Sequence, residues 1–334
     1  MAATRDRKAE QLAAAAGAGV VHASGTGLRG IRLRHRALPE RDLASVSLRT
    51  TFVGIPLEAP LLISSMTGGT EQAREVNERL ARAAAEHGVG MALGSGRRLL
   101  DDPSLLDTYL PGARPPLLLA NLGAAQLRGP DGPELAERLV ELLGADGLVV
   151  HLNAIQEAVQ PEGEPEFSGV AAGIAAAVER LRPLPVVAKE VGFGLDPEDV
   201  RLLAAAGVAA ADVAGSGGTN WALVEGRRDE DTAGVASAFA DWGISTVDSL
   251  AAAREAAPGL PLIASGGLHD GVDVAKCLAL GAALAGMARP LLIAAMADEA
   301  GERIGTVVRQ LRIATWAAGA ASASELAGAA VLRG

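Results

Sequence analysis

Four polar residues stand close together in the segment His151-Leu-Asn-Ala-Ile-Gln-Glu157, which follows an apolar run. On a strand, His151 and Asn153 would point to the same side, with Gln156 and Glu157 in the loop above it. A carboxylate there can hold a hard cation that also binds phosphate oxygens, which is how proteins usually hold Mg²⁺. His151 alone would be interpreted as a core histidine, but the whole set at one strand end predicts a functional site.

Lys189 is the second candidate, because it lies in the apolar segment Val186-Val-Ala-Lys-Glu190 and is one of only three lysines in the chain. An isolated ammonium inside a protein is costly, so it needs either a partner or a function. Glu190 is a poor partner, because neighbouring side chains of a strand point to opposite faces. A cation at this position would stabilise the anionic reduced form of a flavin.

Three glycine-rich segments predict a phosphate-binding cradle. They are Gly215-Ser-Gly-Gly-Thr219, Ala264-Ser-Gly-Gly-Leu268 and Gly286-Met-Ala-Arg-Pro290, and each follows an apolar strand candidate. Glycines let the backbone approach a phosphate, and the N–H groups at a helix N-terminus supply donors and positive potential. The alternative is that the glycines only make tight turns. Two such loops after the last two strands of a barrel favour phosphate, because barrels commonly bind it there.

Two basic pairs, Arg7-Lys8 and Arg97-Arg98, are further candidates. In isolation, such residues are ordinary solvated charges. They gain a function only as clamps for a diphosphate, which needs cationic hydrogen-bond donors.

The segment Gly25-Thr-Gly-Leu-Arg-Gly30 matches the dinucleotide-binding pattern GxGxxG. That pattern has meaning only between a strand and a helix. No apolar strand of proper length precedes it, and the alternating Ile31-Arg-Leu-Arg-His-Arg36 that follows is not helical. We therefore interpret it as a flexible loop.

From residue 60 onward, eight short apolar segments alternate with amphipathic ones, which predicts a parallel sheet covered on both faces. The strand candidates are Pro60–Met66, Val89–Ser95, Leu117–Gly123, Gly147–Asn153, Pro185–Val191, Ala210–Gly215, Leu260–Gly267 and Ala282–Met287. Eight units favour an α/β fold closed as a (β/α)₈ TIM barrel, and the polar residues cluster at the carboxyl ends of its strands, where barrels carry active sites. We expect an N-terminal extension over 1–59 that contributes to the active site, and a barrel with a C-terminal helical segment over 60–334.

The composition excludes several classes of protein. The net charge of −10 and an aromatic content of 2% argue against a nucleic-acid partner. The single cysteine, Cys277, excludes an internal disulfide and a multi-thiolate metal site. The apolar runs are too short to span a membrane and the N-terminus is too charged for a signal peptide, so we expect a cytoplasmic protein.

Together these segments resemble the type 2 isopentenyl-diphosphate isomerase family. The matching stretches are Arg7-Lys8, Met66-Thr-Gly-Gly69, Gly94-Ser-Gly-Arg97, Ala120-Asn-Leu-Gly123, His151 to Gly163, Lys189-Glu-Val-Gly192, Gly215 to Trp221, Ala264-Ser-Gly-Gly267 and Gly286-Met-Ala-Arg289. The segment that begins at His151 is the most specific, since many FMN barrels share the glycines after the seventh and eighth strands.

The resemblance implies that isopentenyl diphosphate is converted to dimethylallyl diphosphate, with reduced FMN as acid and base, Mg²⁺ for the diphosphate and NADPH as reductant. It implies that FMN contacts Ser65, Met66, Thr67, Ser95, Asn121, Lys189, Thr219, Gly266, Gly267, Leu268, Ala288 and Arg289. Substrate-binding residues would be Arg7, Lys8, Ser95, Arg97 and Gln156, the catalytic residues would be His151, Asn153, Gln156 and Lys189, and Glu157 would bind the metal. We also expect a homo-oligomer, with the octamer as one possible assembly.

The chain departs from the usual family pattern at four positions. Gln11 stands where histidine is common, Gly96 where glutamine is common, Ala214 where serine is common and His269 where arginine is common. These departures put individual contacts in doubt and not the family.

The main alternative is another FMN barrel, such as a 2-hydroxy-acid oxidase or a nucleotide dehydrogenase. A dehydrogenase that uses thiolate chemistry needs a loop cysteine, whereas Cys277 falls in a helical pattern. An oxidase needs a His/Arg pair for a carboxylate, for which His269 and Arg289 are poor candidates. A non-catalytic flavin-binding scaffold is a third hypothesis, and it gives no reason for the polar set at His151 to Glu157.

Overall fold

The computed structural model describes residues 2–17, 19–110, 112–228, 230–329 and 331–333. The strands are β1 (Ile31–Leu33), β2 (Thr50–Phe52), β3 (Ile55–Leu57), β4 (Leu61–Ile63), β5 (Gly90–Ala92), β6 (Leu118–Gly123), β7 (Gly147–Leu152), β8 (Val186–Glu190), β9 (Ala210–Asp212), β10 (Leu262–Ala264), β11 (Leu284–Met287) and β12 (Val331–Arg333). The helices are α1 (Ala2–Ala16), α2 (Glu71–His87), α3 (Arg97–Asp101), α4 (Gly132–Leu143), α5 (Ala154–Val159), α6 (Val170–Leu181), α7 (Pro197–Ala205), α8 (Trp221–Gly226), α9 (Glu230–Ser237), α10 (Thr246–Ala256), α11 (Gly271–Ala279), α12 (Arg289–Met296) and α13 (Ala300–Ala317).

Strands β4 to β11 close into a parallel barrel in which β11 pairs with β4. The predicted (β/α)₈ barrel is therefore confirmed, with its eight strands in the expected order. Six of the eight barrel strands end earlier than predicted, because the residues at their carboxyl ends, many of them polar or glycine, leave the ladder and enter the loops. Ser64 to Met66, for example, lie beyond the end of β4.

The barrel carries two apolar layers. One fills its interior and takes residues from every barrel strand, among them Leu62, Val149 and Ile263. The other lies between the strands and the surrounding helices. Both faces of the strands are thus buried, which explains why the sequences of the strands are continuously apolar and do not alternate between apolar and polar residues.

The helices begin where the sequence supplies N-caps. Thr70 accepts a hydrogen bond from the backbone N–H of Ala73 at the start of α2, and Asp270 caps α11 in the same way. Asp196 forms a capping box at the start of α7. Helices α8 to α10, which follow the loop after β9, are not delimited by the hydrophobic pattern of the sequence.

The N-terminal extension reaches both ends of the barrel. Phe52 and Leu57 of the β2–β3 hairpin pack into the interior apolar layer. At the carboxyl end, the N–H of His22 donates to the carbonyl of Gly218 at 2.9 Å, and the N–H of Asn220 donates to Val20 at 2.7 Å. The extension also pairs with the other end of the chain, because β1 is antiparallel to β12.

No helix in the described ranges is both long enough and apolar enough to cross a membrane.

Candidate active site

The predicted site residues converge on one cavity at the carboxyl ends of the barrel strands. Its volume of about 230 Å³ far exceeds the ~10–15 Å³ that one water needs, so it has room for a small organic ligand. The lining includes Lys8, Ser65, Met66, Thr67, Ser95, Arg97, Asn121, His151, Asn153, Gln156, Glu157, Lys189, Thr219, Gly266, Gly267, Leu268, Ala288 and Arg289. The side chain of Arg7 lies outside the described residues. The structure therefore brings together every other predicted site residue.

His151 is held across neighbouring strands by Asn121. Its Nδ1 lies 2.7 Å from Oδ1 of Asn121, so Nδ1 carries the proton when the amide oxygen faces the ring. Burial lowers the pKa of His151 to about 3, and the charges of Lys8 and Lys189 act in the same direction. The imidazole is therefore neutral at physiological pH. The positive charge at the cavity comes instead from its lysine and arginine side chains, which are Lys8, Arg97, Arg98, Lys189 and Arg289 among the described residues.

Glu157 has a fixed carboxylate at the first turn of α5. Its Oε1 accepts from Nδ2 of Asn153 at 2.8 Å, and its Oε2 accepts from Nε2 of Gln160 at 2.6 Å and from the N–H of Glu164 at 2.8 Å. Within the described part of the chain, no group of three His, Cys, Asp or Glu side chains is arranged to hold a metal. A hard cation here would thus take one protein carboxylate and complete its shell with substrate oxygens and water, which suits Mg²⁺.

Gln156 is oriented by a residue that the sequence argument missed. Its Nε2 donates to Oε1 of Glu225 at 2.7 Å, and the same oxygen accepts from Nε2 of Gln11 at 2.8 Å. Glu225 is fully buried on α8, and its other oxygen forms an ion pair with Arg228 at 2.7 Å. A carboxylate inside an otherwise apolar helix is the signal that would have revealed it.

Lys189 lies in the cavity wall. As predicted, Glu190 is not the ion-pair partner of its side chain. Glu190 instead accepts from the N–H groups of Gly192, Phe193 and Gly194. Burial raises the pKa of Glu190 to about 7, although these N–H donors and Lys189 oppose the rise. The carboxylate nearest to Lys189 belongs to Asp212, with Nζ 3.5 Å from Oδ2. The sequence argument missed Asp212 as well.

The glycine loops after β9 and β10 pack backbone against backbone. A Cβ on Gly266 would collide with the backbone of Gly215, and one on Gly267 would lie 2.5 Å from the carbonyl oxygen of Gly217. Both Gly266 and Gly267 have positive φ, at 101° and 72°. Only glycine suits both requirements, so these loops form a close-packed wall with exposed peptide groups.

Thr26, from the pattern that resembles a dinucleotide fingerprint, packs against this wall. Its Cγ2 lies 2.5 Å from the position that a Cβ on Gly267 would take. The segment is irregular and ends in a single 3₁₀ turn, Leu28–Gly30, with no strand before it. The segment is therefore a loop and not part of a strand–turn–helix unit, but it packs against the barrel, where a flexible loop was expected.

Arg289 is the first residue of α12, and its guanidinium donates hydrogen bonds to the N-terminal extension. Nε donates to the carbonyl of Ala15 at 3.0 Å, and Nη2 donates to Ala16 at 3.1 Å and to Gly17 at 2.9 Å. These are carbonyls at the C-terminal end of α1, which have no partners within the helix. A phosphate at the N-terminus of α12 would therefore meet the backbone N–H groups of this turn first.

Arg97 is paired with Glu164 at the mouth of the cavity. Its Nη2 lies 2.5 Å from Oε1 of Glu164, and the other oxygen of Glu164 accepts from Gln126 at 3.0 Å. The backbone N–H of Glu164 binds Glu157. Glu164 thus connects the predicted diphosphate clamp with the predicted metal ligand.

The cavity wall contains buried polar atoms that suit a bound cofactor. Oγ of Ser64, Oγ of Ser65 and Oδ1 of Asn153 are buried without a hydrogen-bond partner among the described residues. All three residues line the cavity. Buried polar groups are rarely left unpaired, so the wall is built for a polar ligand. The donor set and the glycine wall fit the phosphate and the polar ring edge of FMN.

Two of the four departures from the family pattern, Gln11 and Gly96, have local explanations. Gln11 binds the buried Glu225, and Leu139 fills the space that a side chain on Gly96 would need. Ala214 takes a positive φ of 37° and His269 lines the cavity. Nothing in the structure explains why His269 replaces arginine.

The structure does not supply the residues that the two alternative enzymes need, a loop cysteine for a thiolate-using dehydrogenase and a His/Arg pair for a 2-hydroxy-acid oxidase. Cys277 is buried in α11 and is not among the residues that line the cavity. The guanidinium of Arg289 is occupied by α1, so it does not form a carboxylate-binding pair with His269.

The fold and the cavity define an α/β-barrel flavoenzyme, and the profile of the FMN-dependent dehydrogenase family matches residues 7–99 and 158–332. A protein of Stutzerimonas stutzeri named isopentenyl-diphosphate delta-isomerase is 47% identical over 320 residues, 94% of this chain and 92% of its own length. A protein of Xanthobacter autotrophicus with the same name is 48% identical over 317 residues, 93% of this chain and 92% of its own. The chain therefore belongs to the FMN-dependent, type 2 isopentenyl-diphosphate delta-isomerase family.

Solved structures agree on the fold. A mandelate oxidase variant with benzaldehyde superposes with a TM-score of 0.70 at 20% sequence identity, covering 99% of this chain and 98% of the oxidase. At that identity the likeness concerns the barrel alone, and it does not favour oxidase chemistry.

Proposed function

We propose that this protein converts isopentenyl diphosphate to dimethylallyl diphosphate with reduced FMN and Mg²⁺, and that NADPH reduces the flavin. One observation carries the proposal. The polar set from His151 to Glu157, the Lys189 ammonium and the glycine wall line a single cavity in a chain of the isomerase family. We also propose that the N-terminal extension belongs to the active site, because Lys8 and Gln11 line that cavity, and that the protein is a homo-oligomer.

The proposed FMN site is the cavity wall at the carboxyl ends of the barrel strands. Ser65, Met66 and Thr67 would contact the flavin together with Ser95, Asn121 and Lys189. The phosphate would meet peptide groups of Thr219, Gly266, Gly267, Leu268, Ala288 and Arg289. A Lys189 cation at this wall would stabilise the reduced anion.

The proposed diphosphate site lies beside Glu157. Lys8 and Arg97 would supply the positive charge, with Arg7 beside them and the hydroxyl of Ser95 as a further donor. Glu157 would hold Mg²⁺, and the charge of the ion would help to bind the diphosphate, because a hard cation prefers carboxylate and phosphate oxygens. Arg97 would have to exchange its partner Glu164 for the substrate.

Moving a double bond requires adding a proton at one carbon and removing one from another, at centres that are neither acidic nor basic. Reduced FMN supplies that acid–base chemistry when bound, with no net redox change. The protein's part is orientation. His151 is fixed by Asn121, Asn153 by Glu157, and Gln156 by Glu225, so each of these three side chains has a defined orientation in the cavity.

The test begins with the cofactor. Purified protein should bind FMN and not FAD, because the glycine wall and the start of α12 suit a terminal monophosphate. Acid release and chromatography identify the flavin. Turnover of isopentenyl diphosphate is then measured under anaerobic, reducing conditions with and without Mg²⁺. Recovery of FAD, or no turnover with bound reduced FMN, would refute the proposal.

A further inference from the structure

Three successive barrel strands place Lys189, Asp212 and Ser265 side by side at their carboxyl ends. Lys189 of β8 and Asp212 of β9 are direct partners in the ladder. Nζ of Lys189 lies 3.5 Å from Oδ2 of Asp212, and the hydroxyl of Ser265 donates to Oδ1 of Asp212 at 2.7 Å. Nζ also lies 3.5 Å from Oγ of Ser265. The three side chains thus form one connected polar group inside the barrel.

Asp212 is the hidden member of this group. Its side chain is only 1% exposed, and it is not among the cavity-lining residues, whereas Lys189 and Ser265 are. Oδ1 is satisfied by Ser265 and by the N–H of Ala214 at 3.2 Å. Among the described residues, Oδ2 has no hydrogen-bond partner, and its only close cation is Lys189. A buried carboxylate is costly unless a cation compensates it.

The other charged and titratable groups near Lys189 do not serve as its counter-ion. Glu190 turns its carboxylate to three backbone N–H groups and offers Lys189 only its carbonyl oxygen, at 2.8 Å. His151 is neutral at physiological pH and hydrogen-bonded to Asn121. Asp212 is left as the anion that faces the ammonium.

We propose that Asp212 is a positioning residue that holds the Lys189 ammonium at the cavity wall and sets how much of its charge reaches a bound ligand. Ser265 transmits the same restraint from the next strand, because its hydroxyl is oriented by Asp212. The ion pair is a contact within the folded chain itself. Only its consequence for the flavin depends on the proposed function.

A double-mutant cycle on flavin-free protein tests the pair. Lys189→Met leaves a buried, uncompensated carboxylate, and Asp212→Asn leaves an ammonium without its anion. Each single variant should therefore unfold at a lower temperature than the wild type. The double variant Lys189→Met/Asp212→Asn should recover at least half of the larger loss, because it removes both charges together. Losses that add in the double variant would overturn the pairing.

Direct observation of the lysines provides a second measurement. With only Lys8, Lys189 and Lys276 in the chain, ε-¹³C-lysine gives a simple NMR spectrum. Asp212→Asn should change the Cε chemical shift of Lys189 and leave the signals of Lys8 and Lys276 unchanged. Asp146→Asn is the matched control, since it removes an ion pair to Arg114 elsewhere on the barrel. An unchanged Lys189 signal in folded Asp212→Asn protein would overturn the proposal. Failure to bind FMN would refute only the proposed function.

Discussion

The guanidinium of Arg289 and the carbonyl oxygen of Gly17 lie 2.9 Å apart, so the first residue of α12 is fastened to the residue that follows α1. The same turn of α12 lines the glycine-walled cavity, and α1 brings Lys8 and Gln11 to that cavity. One side chain thus joins the proposed phosphate site of the flavin to the proposed diphosphate site of the substrate.

Replacing Arg289 with glutamine should loosen α1 and leave flavin binding nearly intact. The variant loses three hydrogen bonds from a charged donor, so we expect it to be less stable by about 1.5–3 kcal/mol. With Lys8 less well placed, KM for the diphosphate should rise about tenfold, which corresponds to ~1.4 kcal/mol. Flavin affinity is measured by fluorescence titration and KM by steady-state kinetics.

Arg312→Gln is the control for this variant. Arg312 donates to the carbonyl of Val46 at 2.7 Å and is not a cavity-lining residue, so its loss should change stability and not KM. A collapse of flavin affinity in Arg289→Gln, with KM unchanged, would instead mean that the guanidinium itself binds the flavin phosphate.

Glu157→Gln should abolish Mg²⁺-dependent turnover and preserve FMN binding. The amide keeps the size of the carboxylate and removes the charge that a divalent cation requires. Mg²⁺ titration of the activity and flavin titration are measured in parallel. The assignment of Glu157 to the metal would be wrong if flavin affinity fell while the Mg²⁺ dependence persisted.

Lys189→Met should make the bound flavin harder to reduce. Loss of a cation that favours the reduced anion shifts the midpoint potential to a more negative value, by about 30 mV for each ~1.4 kcal/mol. Isomerisation should slow as well. Lys189→Met alone would leave Asp212 unpaired. The potential of the double variant Lys189→Met/Asp212→Asn is therefore compared with that of Asp212→Asn, and circular dichroism checks that both are folded. An unchanged midpoint potential with full activity would show that Lys189 has only a structural role.

The pH dependence of the free energy of unfolding should reveal the burial of His151 in its neutral form. Its pKa in the folded protein, about 3, lies below the ordinary value of 6.5. Between these values the unfolded chain binds more protons, so the contribution of His151 is complete above pH 6.5 and is lost as the pH falls towards 3. The slope is at most about 1.4 kcal/mol per pH unit for one proton.

His151→Gln should flatten this dependence, as measured by denaturant unfolding between pH 4 and pH 7. His22, whose pKa burial lowers to about 4, and Glu190, whose pKa burial raises to about 7, remain in the variant and contribute slopes of opposite sign, so the loss of slope relative to the wild type is the quantity that reports His151. A variant with the full wild-type slope would show that His151 is not buried in its neutral form.

The sequence alone determined the number and order of the barrel strands, because buried parallel strands must be apolar on both faces and their polar ends must lie at one rim. It also identified the residues from His151 to Glu157, Lys189 and the glycine loops, since those residue types are costly or conspicuous in apolar surroundings. Family resemblance added Ser65 and Asn121 as flavin contacts, which spacing does not reveal.

Only the tertiary structure decided which residues support that chemistry. Asp212, Glu225 and Glu164 stand in segments that carry no motif. Each gains its meaning from a partner far away in the sequence: Asp212 from Lys189, Glu225 from Gln11 and Gln156, and Glu164 from Arg97. Arg289 is a similar case, because its contact with α1 spans more than 270 positions. Local propensity and periodicity report on neighbours along the chain, whereas a buried charge is compensated by whatever folding brings within hydrogen-bonding distance.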